Sequence, residues 1–392
     1  MGKETWKKEV GLLQKMVQIP SVTGSEHQIA DFLEEEFRQA GMQTRKVMTE
    51  EGQPLILGIL QGKKEGPVLV FNGHTDTHPV QNYRGDPYSA HIQDGKLFGR
   101  GSVDMKGGLA AMACGAKRLA GRGLEAGTLI VAAVPDEEFL SRGTTCLVAY
   151  LKGQGIRADA GIVGEPTRLQ IGRAMRGVSH IDITVTGYPG HTSGRNHGGN
   201  AILQMGRVLG ALEQDITKRY EGRSHPLLGA PVFNVGLIQG GEKPNVVAQH
   251  CRATLLRRDL PGEDLEQVLE ELRASAASVV DDTCQVSVQE SEVQKRPGKR
   301  RLPMEVEPES KVIKALARAG RAVGGSGLKA GMVPYWCDAS IMANEGGIPT
   351  VVFGPGDIAC AHSPKEWVDL DQYQKAIEIY ANMAWGFLHE SC

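Results

Sequence analysis

No stretch of this chain reaches the roughly 18 consecutive apolar residues that a membrane-spanning helix requires, so a transmembrane span is not expected. No Cys-x-x-Cys pair occurs, and the seven cysteines form an odd set. That pattern fits neither a disulfide framework nor a cysteine-based zinc site. Reduced thiols in a cytoplasmic protein are the simplest reading. Excess charge is also missing: the formal net charge is -2, which gives no global field favouring nucleic acid or a membrane surface. The one basic run, Lys295 to Arg301, reads as a solvated loop at a domain junction. The stretch Met1 to Trp6 has no apolar signal core, and Gly2 lacks the Ser or Thr at position 6 that myristoylation wants. There is no internal repeat and no low-complexity tract. A serine hydrolase is poorly supported, because Gly190-His191-Thr192-Ser193-Gly194 is not a Gly-x-Ser-x-Gly elbow. A dinucleotide-binding turn is equally weak, because Gly325-Ser326-Gly327 follows a helix rather than a strand.

What is present is enough for two domains. The 392 residues exceed the usual single-core size, and 41% of them are apolar. Trp6, Val10, Leu13 and Val17 recur at helical spacing up to Pro20. Ser25 is placed to cap a second helix that ends at Gly41. Helices and short apolar strands then alternate to Arg176, which predicts an α/β domain. From Val178 the pattern becomes β-α-β-β-α-β, the order of a ferredoxin-like α+β sandwich. The expected division is therefore a discontinuous catalytic domain, 1–176 and 292–392, with 177–291 inserted.

Four apolar runs each lead to a residue that can bind a metal. Val68–Phe71 leads to His74 and Asp76, and Leu129–Val134 to Glu137 and Glu138. Ala160–Val163 leads to Glu165, and Thr350–Phe353, through a glycine-rich loop, to His362. Such runs read as buried strands of a parallel sheet, and ligands of open α/β sheets bind beyond the strands' carboxyl ends. An Asp two residues after His74 is spaced to hold the imidazole's other nitrogen. Asp104 lies among glycines, where one carboxylate can bridge two ions, but it also fits as a helix N-cap. Asp136-Glu137-Glu138 reads either as a surface acidic turn or as a metal ligand beside a proton carrier.

As a set, these segments resemble the metal-dependent amidases that include acetylornithine deacetylase, succinyl-diaminopimelate desuccinylase, aminoacylase and glutamate carboxypeptidase. The resemblance rests on Gly73–Asp76, Gly99–Gly108, Glu137-Glu138, Gly164–Thr167, Gly190–Ser193, Asn245–Val247 and Ala361–Pro364. It implies a mostly parallel sheet with helices on both faces, carrying an inserted dimerisation domain. It also implies two divalent metals, most commonly zinc, with cobalt or manganese as substitutes. His74 and Glu165 would complete one coordination sphere, Glu138 and His362 the other, and Asp104 would bridge. Asp76 would orient His74 and Glu137 would be the base. His191, from the partner of a homodimer, would stabilise the oxyanion. Asn245, Arg258 and the backbone donors of Gly354 and Gly356 would hold the substrate.

The implied reaction is cleavage of an N-acyl amino acid, closest to acetylornithine deacetylase. Desuccinylase, dipeptidase or glutamate carboxypeptidase, and formylaminopyrimidine deformylase are alternatives. A non-catalytic binding homologue is the rival from another class, but no implied ligand or base is missing. Three departures stand out: His78 replaces an apolar residue, Tyr83 a tryptophan, and Trp336–Ala339 differs from its counterparts near the expected substrate end.

Overall fold

A computed structural model describes residues 3–188, 199–292, 300–324 and 327–389. The chain divides into two compact units, Met1–Ala174 with Glu305–Cys392, and Met175–Met304. The return to the first unit thus falls at 305 rather than 292. The reason is a β-bridge between Val178 and Arg301, with the Val178 N–H donating to the Arg301 carbonyl, which holds the end of the segment within the second unit. Most of the basic run lies outside the described residues; its visible end includes Arg300, paired with Glu290.

In the first unit the four apolar runs are neighbouring strands. The order is Gln43–Met48, Pro54–Gln61, Ala126–Val134, Lys64–His74, Ala160–Val163, Thr350–Val352, then Ile171–Met175. Ala126–Val134, Lys64–His74, Ala160–Val163 and Thr350–Val352 run parallel to one another, and antiparallel strands flank them. Alternation along Lys64–His74 shows why both sheet faces are covered. Phe71 meets Tyr380 at 5.2 Å between ring centroids, and a Cβ on Gly73 would strike Leu109. Asn72, of opposite parity, reaches Thr144 and Met342. The helices Lys106–Arg122 and Leu370–His389 therefore pack on one face, and Arg142–Gly153 and Ala339–Asn344 on the other.

Two local expectations change. The helix His27–Gln39 begins after Glu26, with no side-chain cap, so Ser25 does not cap it. Met105, not Asp104, takes the N-cap position of Lys106–Arg122, which removes the capping explanation for Asp104. Instead, that helix's Lys106 ammonium is buried and donates to the carbonyls of Met16 and Ile19 at the end of the helix Lys3–Gln18. A cation at a helix C-terminus satisfies carbonyls that have no partner within the helix.

The second unit has the expected β-α-β-β-α-β order. Its antiparallel sheet runs Val232–Gly240, His250–Arg258, Ser179–Gly187, Cys284–Glu290. The helices Ala201–Glu221 and Leu265–Ala277 are capped by Asn200 and Asp264. Ile181, Ile183 and Val185 alternate into one core with Met205, Val208, Leu269 and Leu272. Val232–Gly240 is an edge strand, and its Leu237 and Ile238 are exposed.

Candidate metal centre

The carboxyl ends of the parallel strands deliver their side chains to one place. His74 is the last residue of its strand and is buried. Its Nε2 lies 3.1 Å from Asp104 Oδ1 and 3.4 Å from Glu165 Oε1. His362 Nε2 lies 3.1 Å from the other Asp104 oxygen, Oδ2, and 3.1 Å from Glu138 Oε1. Two triads result, His74–Asp104–Glu165 and Asp104–Glu138–His362, and they share one carboxylate. In each triad the ligand-type atoms lie within 4.8 Å of one another.

The electrostatics show what this arrangement wants. Burial, reinforced by Asp104, pushes the Glu165 carboxyl up to about 8. Burial, with Asp338 next, raises Glu137 well above the carboxylate range. Hydrogen bonds with Asp104 and Glu138 lift His362 to about 10. Burial opposes charge on His74, but its contacts with Asp104, Asp76 and Glu165 prevail and raise it well above the usual imidazole value. Burial likewise opposes charge on Asp104, and the two imidazoles overcome it and hold its carboxyl far down. Asp104 and Glu165, buried, with partly buried Glu137 and Glu138 beside them, demand positive charge at their centre. Two imidazole–carboxylate triads offer oxygen and nitrogen donors of the kind zinc and its neighbours take, so the residues present fit a pair of divalent cations.

The supporting residues hold this cluster from behind. The Asp76 carboxylate accepts from the backbone N–H groups of Glu137 and Glu138 at 3.0 and 3.1 Å, and from Thr23 Oγ1 at 2.9 Å. His74 Nδ1 lies 2.9 Å from the Asp76 main-chain oxygen and 3.5 Å from its carboxylate. Asp76 thus faces His74 Nδ1 with its backbone carbonyl and, further off, its carboxylate, and the same carboxylate steadies the acidic loop. Asp136, the first acid of that loop, bonds Arg142 and forms the turn. Glu366 accepts from the N–H groups of Val103 and Asp104 and pairs with buried Arg100. Asn72 donates to Thr144, which donates to buried Asp338, whose charge bears on Glu137.

Sequence reasoning missed Glu366, Arg100, Thr144 and Asp338 as supports. A polar Asn72 inside an apolar strand was one available signal. The segment around Trp336 carries Tyr335, which donates to the Pro166 carbonyl beside Glu165, and Asp338. Its residues therefore support the centre directly.

The Gly354 N–H donates to Thr167 Oγ1 and the Gly356 N–H to Gln372 Oε1, so neither amide is available in the way expected for substrate. Asn245 and Arg258 belong to the second unit. Arg257, not Arg258, binds Asp259, and Arg258 is half-buried. His191 lies outside the described residues.

A cluster that needs cations, with a protonatable glutamate beside it, is how a metal-dependent amide hydrolase is built. Comparison makes the class specific. The sequence profile of Peptidase family M20/M25/M40 matches residues 70–385, and the chain belongs to that family. Acetylornithine deacetylase of Myxococcus xanthus is 32% identical over 321 residues, covering 80% of this chain and 78% of that one. The uncharacterized protein YgeY of Escherichia coli K12 is 32% identical over 375 residues, covering 90% and 88%. The structure of YXEP from Bacillus subtilis, described as a dinuclear metal binding peptidase, superposes with a TM-score of 0.75 at 17% identity, covering 100% of both chains.

Proposed function

We propose that the chain is a dinuclear metal-dependent deacylase that cleaves the amide bond of N-acyl amino acids, as an acetylornithine deacetylase does. The observation that carries this reading is the division of Asp104, one oxygen toward each imidazole. His74, Asp104 and Glu165 would hold one ion, and Asp104, Glu138 and His362 the other. Zinc suits the mixed imidazole and carboxylate donors, with cobalt or manganese as substitutes. When bound, such ions supply Lewis acidity to the scissile carbonyl and to the attacking water. Glu137 belongs to neither triad, is partly buried and interacts electrostatically with His74, Glu165 and Glu138 of the two triads, so it serves as the proton carrier. It takes the proton of the attacking water and returns it to the leaving amine nitrogen, which makes departure as a neutral amine possible. Asn245 and Arg258 are assigned to the substrate's polar groups, Arg258 to a carboxylate. His191 is assigned to the oxyanion.

The active form proposed is a homodimer of two copies of the chain, supported by the exposed apolar edge strand Val232–Gly240 of the second unit. A cytoplasmic location is supported by the free thiols of Cys114, Cys146, Cys251, Cys284, Cys337 and Cys360. No described helix is long and apolar enough to cross a membrane. The deciding experiment is a hydrolysis screen on zinc- or cobalt-loaded protein. It should contain acetyl-, succinyl- and formyl-amines and dipeptides. Preference for N-acetyl amino acids supports the proposal; preference for succinyl-amines or dipeptides replaces the substrate, and no hydrolysis of any amide removes the catalytic reading.

A further inference from the structure

His362 is the least enclosed member of the cluster. Its side chain is 44% exposed, against 1% for His74. Its backbone sits at φ 54°, in the left-handed region where non-glycine residues are uncommon. Burial therefore does not fix this ring, yet the ring must present Nε2 to the centre. What meets it comes from the segment that follows Asp76. The His78 ring stacks on the His362 ring, with centroids 4.3 Å apart and 24° between planes. Asn82 Nδ2 donates to the His362 carbonyl at 2.9 Å, and Asn82 Oδ1 accepts from Arg100 at 2.8 Å. The Arg84 N–H donates to the Pro364 carbonyl at 2.8 Å. The backbone of the His362 loop is thus pinned at two points, and the imidazole is held by His78.

We propose that His78 is a positioning residue for the Asp104–Glu138–His362 half of the centre, acting through the face of its ring and not as a ligand. Its Nδ1 lies 3.2 Å from the carbonyl of Pro79, and its nitrogens belong to neither triad. Flat contact restricts rotation of the His362 ring about its bond to the backbone, so less freedom is lost when a cation binds. The other triad does not include His78, and its imidazole, His74, is already held by burial. The two halves then differ in affinity, with the outer half dependent on the stack. This inference rests on the two-ion reading above.

The test is titration of metal-free protein with Co(2+) alone, followed by visible absorption and by competition with a chromophoric chelator. Wild type, His78→Ala and His78→Phe are compared, and thermal melts of the metal-free forms check folding. His78→Ala should weaken the second equivalent by about tenfold or more, the scale of residues that orient a ligand, and leave the first unchanged. His78→Phe keeps a flat ring without nitrogen and should return the second equivalent to within about threefold of wild type. Equal weakening of both equivalents by His78→Ala, or no weakening, overturns the proposal. Failure of His78→Phe to rescue a folded protein also overturns it, because a nitrogen would then be required. If wild type takes up fewer than two equivalents, the two-ion reading falls instead; if wild type takes two and His78→Ala is indifferent, only the role of His78 falls.

Discussion

The Asp76 carboxylate grips the backbone of Glu137, Oδ1 to N–H at 3.0 Å, across 61 residues of sequence. Its other oxygen does the same for Glu138. A strand end on one side of the centre thereby fixes both the proposed base and a proposed ligand, while the backbone oxygen of Asp76 takes His74 Nδ1. Asp76→Asn should separate these roles. The amide keeps one acceptor and the main-chain carbonyl is untouched, but its NH2 faces a backbone N–H that also needs an acceptor. Metal uptake at the His74 triad should persist, and kcat should fall about 10- to 100-fold, the range for groups that orient others at such sites. Metal analysis beside steady-state kinetics checks this. Loss of the first equivalent would make the carboxylate, rather than the backbone carbonyl, the group that orients His74.

Packing sets a second constraint on the same centre. A Cβ added at Gly108, near the start of the helix Lys106–Arg122, would lie 1.8 Å from the Gly164 carbonyl oxygen. Relief requires a shift of the helix backbone or of the Gly164 carbonyl, and Glu165 is the residue after Gly164. Gly108→Ala should therefore cost at least the ~1–3 kcal/mol typical of overpacking and weaken metal binding. Gly121, in the same helix, has nothing within 4 Å of an added Cβ. Gly121→Ala should be neutral or stabilising by up to ~1 kcal/mol, from helix propensity alone. Denaturant unfolding of the two variants makes the comparison; similar costs would refute the steric account.

Thiol chemistry gives a third expectation. Cys114 is buried on the helix Lys106–Arg122, and burial pushes its thiol up to about 12. At pH 8 its thiolate fraction is on the order of 10⁻⁴, against about a quarter for a free thiol of pKa ~8.5. Cys114 should resist alkylation in the native protein and react only on unfolding, whereas partly exposed Cys146 and Cys360 should be modified first. Peptide mapping after timed iodoacetamide treatment reads the order, and early modification of Cys114 would contradict its burial.

The parallel core was readable because apolar runs of four to six residues leave few alternatives when turn residues bound them. The triads were less so. His74 and Glu165 stand three and two residues beyond such runs, but His362 lies ten residues past Val352, along a loop whose path no periodicity reveals. Asp104 follows no strand of the sheet, and its meaning came from resemblance. The supports were harder still: Glu366 reaches the amides of Val103 and Asp104 across more than 260 residues. Hydrogen bonds of that separation depend on topology, and no local pattern encodes them. The late boundary at 305 has the same origin, since it depends on a bridge between Val178 and Arg301.

The assignment of Glu137 can be tested against its neighbour. Glu138 approaches His362 at 3.1 Å and belongs to a triad, whereas Glu137 belongs to none. Glu137→Gln preserves shape and removes only the capacity to carry a proton. It should retain both metal equivalents and the wild-type unfolding transition, while kcat falls by about 10²–10⁴, the contribution usual for general acid–base catalysis. Glu138→Gln should instead weaken the second equivalent. Metal stoichiometry measured beside kcat separates the two glutamates, because a ligand loses metal and a proton carrier does not. Near-normal turnover by Glu137→Gln would transfer the proton-carrying role elsewhere, and buried Asp338, which already raises Glu137, would be the next carboxylate to substitute.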